Sequence, residues 1–455
     1  MPLTKNEVHT VTITGYASDG AGVARIDGQV VFVTQAIAGE VCEIRILRVT
    51  KSVAWAKIET LLTPSPHRVT PPCPAFGPCG GCDFLHMTYE EELRLKELRV
   101  TDALSRVGGL AVRVSPIRKA EAQTGYRNKA IFAVGTGPVT GFYRRRSHQI
   151  VPIAACLIQS ESANRAAGAL RAWMREHDIP AYEETTEQGI IRHLFVREAG
   201  NGSAVICVVA AQTNLPYADA LIETLRRACP EASGIVLCVN REPGNVILQG
   251  DFHTLWGEAY LTDTLCGLEF RLSPRSFFQV NKQQAEGLYE QALAYAALGG
   301  EETVLDLYCG TGTITLLLAG DAHRAIGAEI VAEAIRDAEE NARTNKISNT
   351  EFLLADAGDA AKHLASRDIH PDVIVVDPPR KGLAPMVIEQ IVQMAPKRLV
   401  YVSCDPATLA RDLKLFAAAG YETREVTPVD MFPRCAHVEC VALLHNCISS
   451  QNSLK

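Results

Sequence analysis

Short apolar runs separated by turn-forming residues fill the first part of the chain. Strand-like runs and turns lie at Val8–Thr14, Ser18–Gly22, Val30–Val33, Gly39–Glu40, Val41–Val49 and Ala54–Leu61. Five short strands in so small a segment predict a closed β-barrel of the oligonucleotide-binding type, although other small β-barrels share the pattern.

The middle of the chain mixes helical and strand patterns. A Pro-rich linker at Thr63–His67 follows the predicted barrel, and charged residues on one face predict a helix over Tyr89–Val107. Strand-like runs follow at Ile191–Arg197, Ala204–Val209 and Gly234–Val239. These patterns predict a central α/β domain.

From about Leu265 to Leu444, strand and helix patterns alternate, as in a doubly wound sheet with a Rossmann-like fold. The chain has 455 residues, more than the roughly 250 to 300 that one core usually supports. We therefore predict an α/β protein of three domains, a barrel over 1–62, a central domain over 63–262 and a C-terminal domain over 263–455.

Composition indicates where in the cell the protein acts and which chemistry its cysteines suit. The N-terminus has no apolar signal region, and no apolar run reaches the roughly 20 residues that span a bilayer. We expect a cytoplasmic protein without a membrane partner, and a monomer. Fourteen cysteines in such a chain favour reduced thiols, a metal cluster or a catalytic thiol over disulfides.

The net charge of −7 is unusual for a protein that binds nucleic acid, but the charge is unevenly distributed. Residues 1–150 carry a net charge of +6 and the remainder −13. A basic front half suits a polyanion held at one end of the molecule, and solvated surface charge explains the balance almost as well.

Three cysteines, Cys73, Cys79 and Cys82, lie in a Gly/Pro-rich loop. Thiolates at this density need a fourth ligand, for which Cys156 is the best candidate. An iron-sulfur cluster and a four-thiolate zinc site are both consistent with the spacing.

A strand, a glycine turn and a helix follow one another at Thr303–Leu307, Tyr308–Thr313 and Ile314–Ala319. This arrangement is typical of a nucleotide-binding unit, in which the glycines let the ligand lie against the backbone. Glu329 ends the next strand, where it can accept hydrogen bonds from ribose hydroxyls, and Asp356 follows a third strand near the expected adenine. Together they favour S-adenosylmethionine over a dinucleotide.

The next predicted strand ends in Asp377-Pro378-Pro379-Arg380. Methyltransferases that act on amines commonly carry an aromatic residue at the position of Arg380. Its absence disfavours amine chemistry, whereas Asp377 can still accept a hydrogen bond from a ring N–H such as uracil N3–H.

Downstream lie Ser403-Cys404-Asp405-Pro406 and His437-Val438-Glu439, which supply a thiol and a carboxylate. A thiolate that adds to C6 of a pyrimidine makes C5 nucleophilic, and a base must then remove the C5 proton. The pair therefore indicates covalent methyl transfer to C5, although an isolated Ser-Cys-Asp-Pro is also typical of a buried structural cysteine.

With these motifs assembled, the chain resembles the RNA uracil-5-methyltransferase family, above all its iron-sulfur branch acting on 23S ribosomal RNA. Residues 15–24 and Gly39-Glu40 also resemble a TRAM domain, an RNA-binding barrel. The resemblance is carried by the four cysteines, Ser276–Asn281, Asp306–Gly312, Asp377–Arg380, Ser403–Asp412 and His437–Glu439.

The resemblance implies a [4Fe-4S] cluster, Cys404 as nucleophile and Glu439 as base. It also implies a cofactor pocket lined by Gln279, Tyr308, Glu329 and Asp377. Cys435 and Cys440 are expected to do no chemistry. The expected partner is a structured 23S ribosomal RNA loop with a flipped uridine.

Three alternatives remain. The same reaction could act on transfer RNA, or the chain could be a non-catalytic iron-sulfur protein that binds RNA. A cytosine-5 methyltransferase also uses a thiolate, but typically within Pro-Cys, which Ser403-Cys404 lacks.

Overall fold

The computed structural model describes residues 3–244 and 246–447, and it begins with six strands where the sequence predicts a barrel of five. The barrel strands are β1 (Val8–Thr12), β2 (Gly15–Tyr16), β3 (Gly22–Ile26), β4 (Gln29–Thr34), β5 (Val41–Val49) and β6 (Val53–Thr63). They pair in the order β1-β5-β6-β4-β3-β2. Alternate residues such as Ile44 and Ile46 point inward and are fully buried, which explains the period of two in this segment.

The central domain is built on a seven-stranded sheet with order β10-β9-β8-β11-β12-β13-β14. Its strands are β8 (Lys129–Gly135), β9 (Val139–Tyr143), β10 (Ile150–Pro152), β11 (Ile191–Glu198), β12 (Ala204–Ala210), β13 (Ala232–Val239) and β14 (Asp251–Gly257). Helices α2 (Glu161–Glu176) and α3 (Ala218–Ala228) supply much of its apolar core. The three predicted central strands correspond to β11, β12 and β13.

A hairpin of β15 (Leu261–Leu265) and β16 (Leu268–Leu272) leads into an eight-stranded sheet with order β19-β18-β17-β20-β21-β23-β22-β7. Its strands are β7 (Arg113–Val114), β17 (Thr303–Leu307), β18 (Arg324–Glu329), β19 (Thr350–Leu354), β20 (Val373–Val376), β21 (Arg398–Ser403), β22 (Tyr421–Val429) and β23 (Glu439–Asn446). Strands β17 to β21 are parallel, and β23 is antiparallel to both of its neighbours. The predicted doubly wound α/β fold is confirmed.

Six helices connect or flank these strands. They are α4 (Lys282–Ala296), α5 (Thr313–Ala319), α6 (Ala332–Thr344), α7 (Ala357–Ser366), α8 (Pro385–Met394) and α9 (Pro406–Ala418). The parallel strands therefore end at one common edge, where doubly wound folds bind their ligands. Among the described residues, no helix combines the length and apolar character that crossing a membrane requires.

The segment after the barrel packs against the C-terminal sheet. Helix α1 (Tyr89–Asp102) continues into a π-helical turn over Ala103–Gly108, and β7 then pairs with β22. The side chain of Lys96 is fully buried between Glu92 at 2.8 Å and Asp430 at 2.5 Å. The two carboxylates outweigh burial and raise the pKa of Lys96. This ion triad joins α1 to the segment that precedes the predicted base.

Replacing Lys96 with methionine should destabilise the protein by about 3 to 5 kcal/mol, because two buried carboxylates lose their counter-charge. Urea unfolding measures the change, with the exposed Lys414→Met as the matched control. A loss below about 1 kcal/mol, the value of a surface pair, would contradict this view of the triad.

Candidate active site

The glycine turn after β17 combines tight packing with an open face. Tyr308, Gly310 and Gly312 have φ values of 70°, 54° and 80°, in the left-handed region. A Cβ on Gly312 would lie 3.0 Å from the Cβ of Ala338, so a side chain here would be crowded as well as strained by the positive φ. A Cβ on Gly310 would meet nothing within 4 Å, so this part of the backbone is open to a ligand.

Glu329 is held against this turn by backbone donors. Its Oε2 accepts a hydrogen bond from Gly310 N–H at 3.2 Å, and its Oε1 accepts from Ile330 and Val331 N–H at 2.8 and 3.0 Å. A carboxylate oriented in this way keeps lone pairs for further donors such as ribose hydroxyls.

Asp306 and Asp356 flank the same edge of the sheet. The buried Asp306 accepts a 2.6 Å hydrogen bond from Thr315, and its Oδ1 has no partner among the described residues. Burial raises its pKa to about 7. Asp356 is exposed and caps α7, accepting a hydrogen bond from Asp359 N–H at 2.9 Å, so part of its role is structural.

The loop that carries Gln279 is fixed at both ends. Asn128 donates to the carbonyl oxygen of Gln279 at 3.0 Å, and Asn281 donates to the carbonyl oxygen of Met431 at 3.1 Å. The loop thereby connects the central sheet to the segment before β23.

Strand register brings the candidate nucleophile and base together. Ser403 of β21 pairs with Cys440 of β23. Cys404 follows Ser403 and Glu439 precedes Cys440, so both lie at the same end of this antiparallel pair, and the charge of Glu439 acts on the Cys404 thiol. Glu439 is 5% exposed, whereas Cys404 is half-buried at the edge of the sheet. The carboxylate and the thiol thus face one site.

Burial raises the pKa values of the acidic groups in this site, and repulsion between their negative charges raises some of them further. Burial, followed by the negative charge of Asp377, raises the pKa of Glu439 to about 8. Burial raises the pKa of Asp377 to about 7. Burial and the two carboxylates raise the pKa of Cys404 to about 11, against the opposing effect of Arg380. Glu439 therefore titrates near neutral pH, where a general base is most effective.

Arg380 and His437 form a pair beside these groups that sequence reasoning did not predict. Arg380 Nη2 lies 3.4 Å from His437 Nε2. Arg380 opposes the rise in pKa of both Cys404 and Glu439, so its positive charge acts on the nucleophile and on the base. The sequence showed each residue in its own motif, Asp377–Arg380 and His437–Glu439, but not that the two side chains meet.

The four predicted cysteine ligands line one cavity of about 340 Å³. Arg127, Arg380 and His437 line the same cavity, which places the cysteine loop next to the candidate active site. A fifth thiol, Cys435, hydrogen-bonds to Cys82 and donates to the carbonyl oxygen of Gly81 at 3.1 Å. Within the described ranges, no three His, Cys, Asp or Glu side chains are grouped as one metal ion requires.

Residues 258–447 match the family described as tRNA (Uracil-5-)-methyltransferase, and residues 2–58 match the TRAM domain. An uncharacterized RNA methyltransferase of Halalkalibacterium halodurans is 43% identical over 97% of this chain and 98% of its own. An uncharacterized RNA methyltransferase of Clostridium tetani is 41% identical over 98% of this chain and 97% of its own.

Among solved structures, the Pyrococcus abyssi tRNA (uracil-54, C5)-methyltransferase in complex with S-adenosyl-L-homocysteine is 28% identical. It covers 96% of this chain and 99% of its own, with a TM-score of 0.77. The chain therefore belongs to the RNA uracil-5-methyltransferase family and is an S-adenosylmethionine-dependent RNA methyltransferase with an N-terminal TRAM domain.

Proposed function

We propose that this protein methylates C5 of specific uridines in 23S ribosomal RNA through a covalent adduct between Cys404 and C6. The observation that carries the mechanism is the pairing of Ser403 with Cys440, which brings Cys404 and Glu439 together at one end of β21 and β23. A thiol beside a buried carboxylate at the ligand-binding edge provides both groups that the reaction needs.

The reaction follows from the chemistry of uracil. The Cys404 thiolate adds to C6, and the electrons of the C5–C6 double bond form an enolate. With S-adenosylmethionine bound, C5 would take its methyl group, so that the C5–methyl bond forms as the methyl–sulfonium bond breaks and S-adenosylhomocysteine leaves. Glu439 removes the proton from C5, the double bond re-forms, and the C6–S bond breaks to free Cys404.

Cys404 needs assistance to ionise, because its pKa of about 11 leaves little thiolate at neutral pH. Arg380 is the nearby positive charge that lowers this pKa. The same guanidinium can stabilise the negative charge that develops on a pyrimidine oxygen during the addition.

Five predicted residues would hold S-adenosylmethionine, namely Gln279, Tyr308, Glu329, Asp356 and Asp377. The open face of Gly310 and the Oδ1 of Asp306, to which no described residue donates, also fit a nucleotide-like ligand with a cationic end. When bound, S-adenosylmethionine supplies an electrophilic methyl group on a sulfonium. Asp377 would orient the base or the cofactor from the end of β20.

We propose that Cys73, Cys79, Cys82 and Cys156 hold a [4Fe-4S] cluster. The fit rests on their shared cavity and on Arg127, whose buried Nε has no partner among the described residues. This donor and its positive charge suit a thiolate-ligated cluster. A tetrahedral zinc site would need sulfurs only about 3.8 Å apart around one ion, as Zn–S bonds of about 2.3 Å require.

Protein purified without oxygen should contain about four iron per chain, as four thiolates around a cubane imply. Cys156→Ser should lower the iron content and the visible absorption, while Cys266→Ser, at another half-buried cysteine, should change neither. Stoichiometric zinc without iron would replace the cluster with a tetrahedral zinc site.

The ribosomal substrate is proposed from the cysteine set and the TRAM barrel, which resemble the ribosomal branch. Transfer RNA is the second candidate, because the structural neighbour from Pyrococcus abyssi is a tRNA (uracil-54, C5)-methyltransferase. A flipped uridine in a structured loop suits both substrates.

Deleting the gene should remove one or two 5-methyluridines from 23S ribosomal RNA and leave transfer RNA unchanged. Mass mapping of both RNAs from cells with and without the protein measures this. Restoring the wild-type gene should return the modification, and restoring Cys404→Ala should not. Loss confined to transfer RNA would overturn the ribosomal assignment.

A further inference from the structure

A hairpin of the central sheet carries three consecutive arginines at its tip. Tyr143, the last residue of β9, and the turn over 144–149 that leads to β10 are all exposed, and together they are called the arginine hairpin. It borders an open cavity of about 530 Å³. The cavity is lined by Gly80, Gly81, Phe142, Tyr143, Arg144, Arg145, Arg146, Ser147 and His148.

The stretch of sequence that contains the arginine hairpin carries charge of one sign. Residues 122–160 contain no Asp or Glu, although the whole chain is acidic. The same stretch contains five cations, Arg127, Lys129, Arg144, Arg145 and Arg146. A basic concentration on an acidic protein is the electrostatic signature of a polyanion site.

Two of the three hairpin arginines are free to bind a ligand. Arg145 forms an ion pair with Asp83. Arg144 and Arg146 have no carboxylate partner among the described residues, and both are exposed. Tyr143 packs edge-on against His148 with ring centroids 5.9 Å apart, so aromatic surface adjoins the charge. Guanidinium groups beside aromatic rings suit phosphates and stacked bases together.

The arginine hairpin is physically connected to the candidate active site. Gly80 N–H donates to the carbonyl oxygen of Tyr143 at 3.2 Å, which joins the hairpin to the cysteine loop. Gly80, Gly81 and Phe142 line both this cavity and the cysteine cavity, which extends to Arg380 and His437. One continuous surface therefore leads from the hairpin to the neighbours of Glu439.

We propose that Arg144 and Arg146 bind the phosphates of the RNA strand that flanks the flipped uridine. This inference rests on the proposed function and adds to it a specific RNA contact outside the TRAM barrel. Each arginine neutralises one phosphate, and the hairpin holds the strand beside the cavity while the uridine occupies the site at Cys404. Such contacts position the strand without reading its sequence.

The test is the double variant Arg144→Gln/Arg146→Gln, which removes two charges and leaves the Arg145–Asp83 pair intact. Binding to a fluorescent oligouridylate is measured over a series of salt concentrations. Each contact with a phosphate of a single strand contributes about 0.7 to the steepness with which the logarithm of the binding constant falls against the logarithm of the salt concentration. The variant should flatten the slope by about 1.4 and weaken binding by roughly 20-fold at about 0.1 M salt.

The matched control is Arg106→Gln/Arg227→Gln. Both arginines are 77% exposed and paired to carboxylates, and the double change removes the same charge. For the control, the binding constant should depend on salt concentration with the same slope as for the parent protein. A parental slope in the hairpin variant, or equal losses in both variants, would overturn the proposal.

Methyl transfer to 23S ribosomal RNA and transfer RNA is measured in parallel. The hairpin variant should show a raised KM for whichever RNA the parent methylates. Failure of the parent to methylate any uridine would instead overturn the proposed function, while the binding series would still report on the hairpin.

Discussion

Cys404→Ala is expected to abolish methyl transfer, with a loss of about 10⁴-fold or more. Without the thiolate, C5 of uracil is too weak a nucleophile to attack a methyl sulfonium, and loss of a covalent nucleophile typically costs this much. The decisive readout is RNA that contains 5-fluorouridine, because fluorine at C5 cannot leave as a proton. Wild-type protein with S-adenosylmethionine should form a stable protein–RNA adduct, and Cys404→Ala should form none.

The matched control is Cys440→Ala, which removes a fully buried thiol adjacent to the base. Burial, followed by the Glu439 carboxylate, raises the pKa of Cys440 above its usual range, so this thiol is poorly suited to attack. The control should still form the adduct. An adduct that survives Cys404→Ala and disappears with Cys440→Ala would assign the nucleophile to the neighbouring thiol.

Glu439→Gln is expected to permit attack and methylation but to stall elimination, because glutamine cannot accept the C5 proton. The variant should accumulate RNA that is both methylated and covalently bound to Cys404, which denaturing gels and mass spectrometry detect. Glu422→Gln, at an exposed glutamate of β22, should release product at the wild-type rate. Free product from Glu439→Gln at that rate would assign proton removal to another group.

The pH dependence of elimination gives a second measurement of the same role. Burial and Asp377 raise the pKa of Glu439 to about 8 in the free protein, so the carboxylate is mostly protonated at neutral pH. A base must be deprotonated, and the rate should therefore rise with pH up to about 8 and then level off. A rate that falls over this range would show that the protonated form is the active one.

The sequence by itself determined the elements that depend on local pattern. Alternating apolar residues specified the barrel strands, since one face of each strand is buried. The strand over Thr303–Leu307 and the glycine turn after it were predictable. A buried strand is a short apolar run, and a turn with left-handed φ values favours glycine. A helix was predicted over Tyr89–Val107. In the structure the α-helix ends at Asp102, and a π-helical turn follows it.

Tertiary structure alone decided which of these elements meet. The last strand, β23, inserts between β21 and β22, and only this order sets Glu439 beside Cys404. Likewise, no local signal showed that β7 would join the C-terminal sheet or that Arg380 would contact His437. Strand order and loop contacts depend on how apolar faces from distant segments pack together, which periodicity within one segment does not encode.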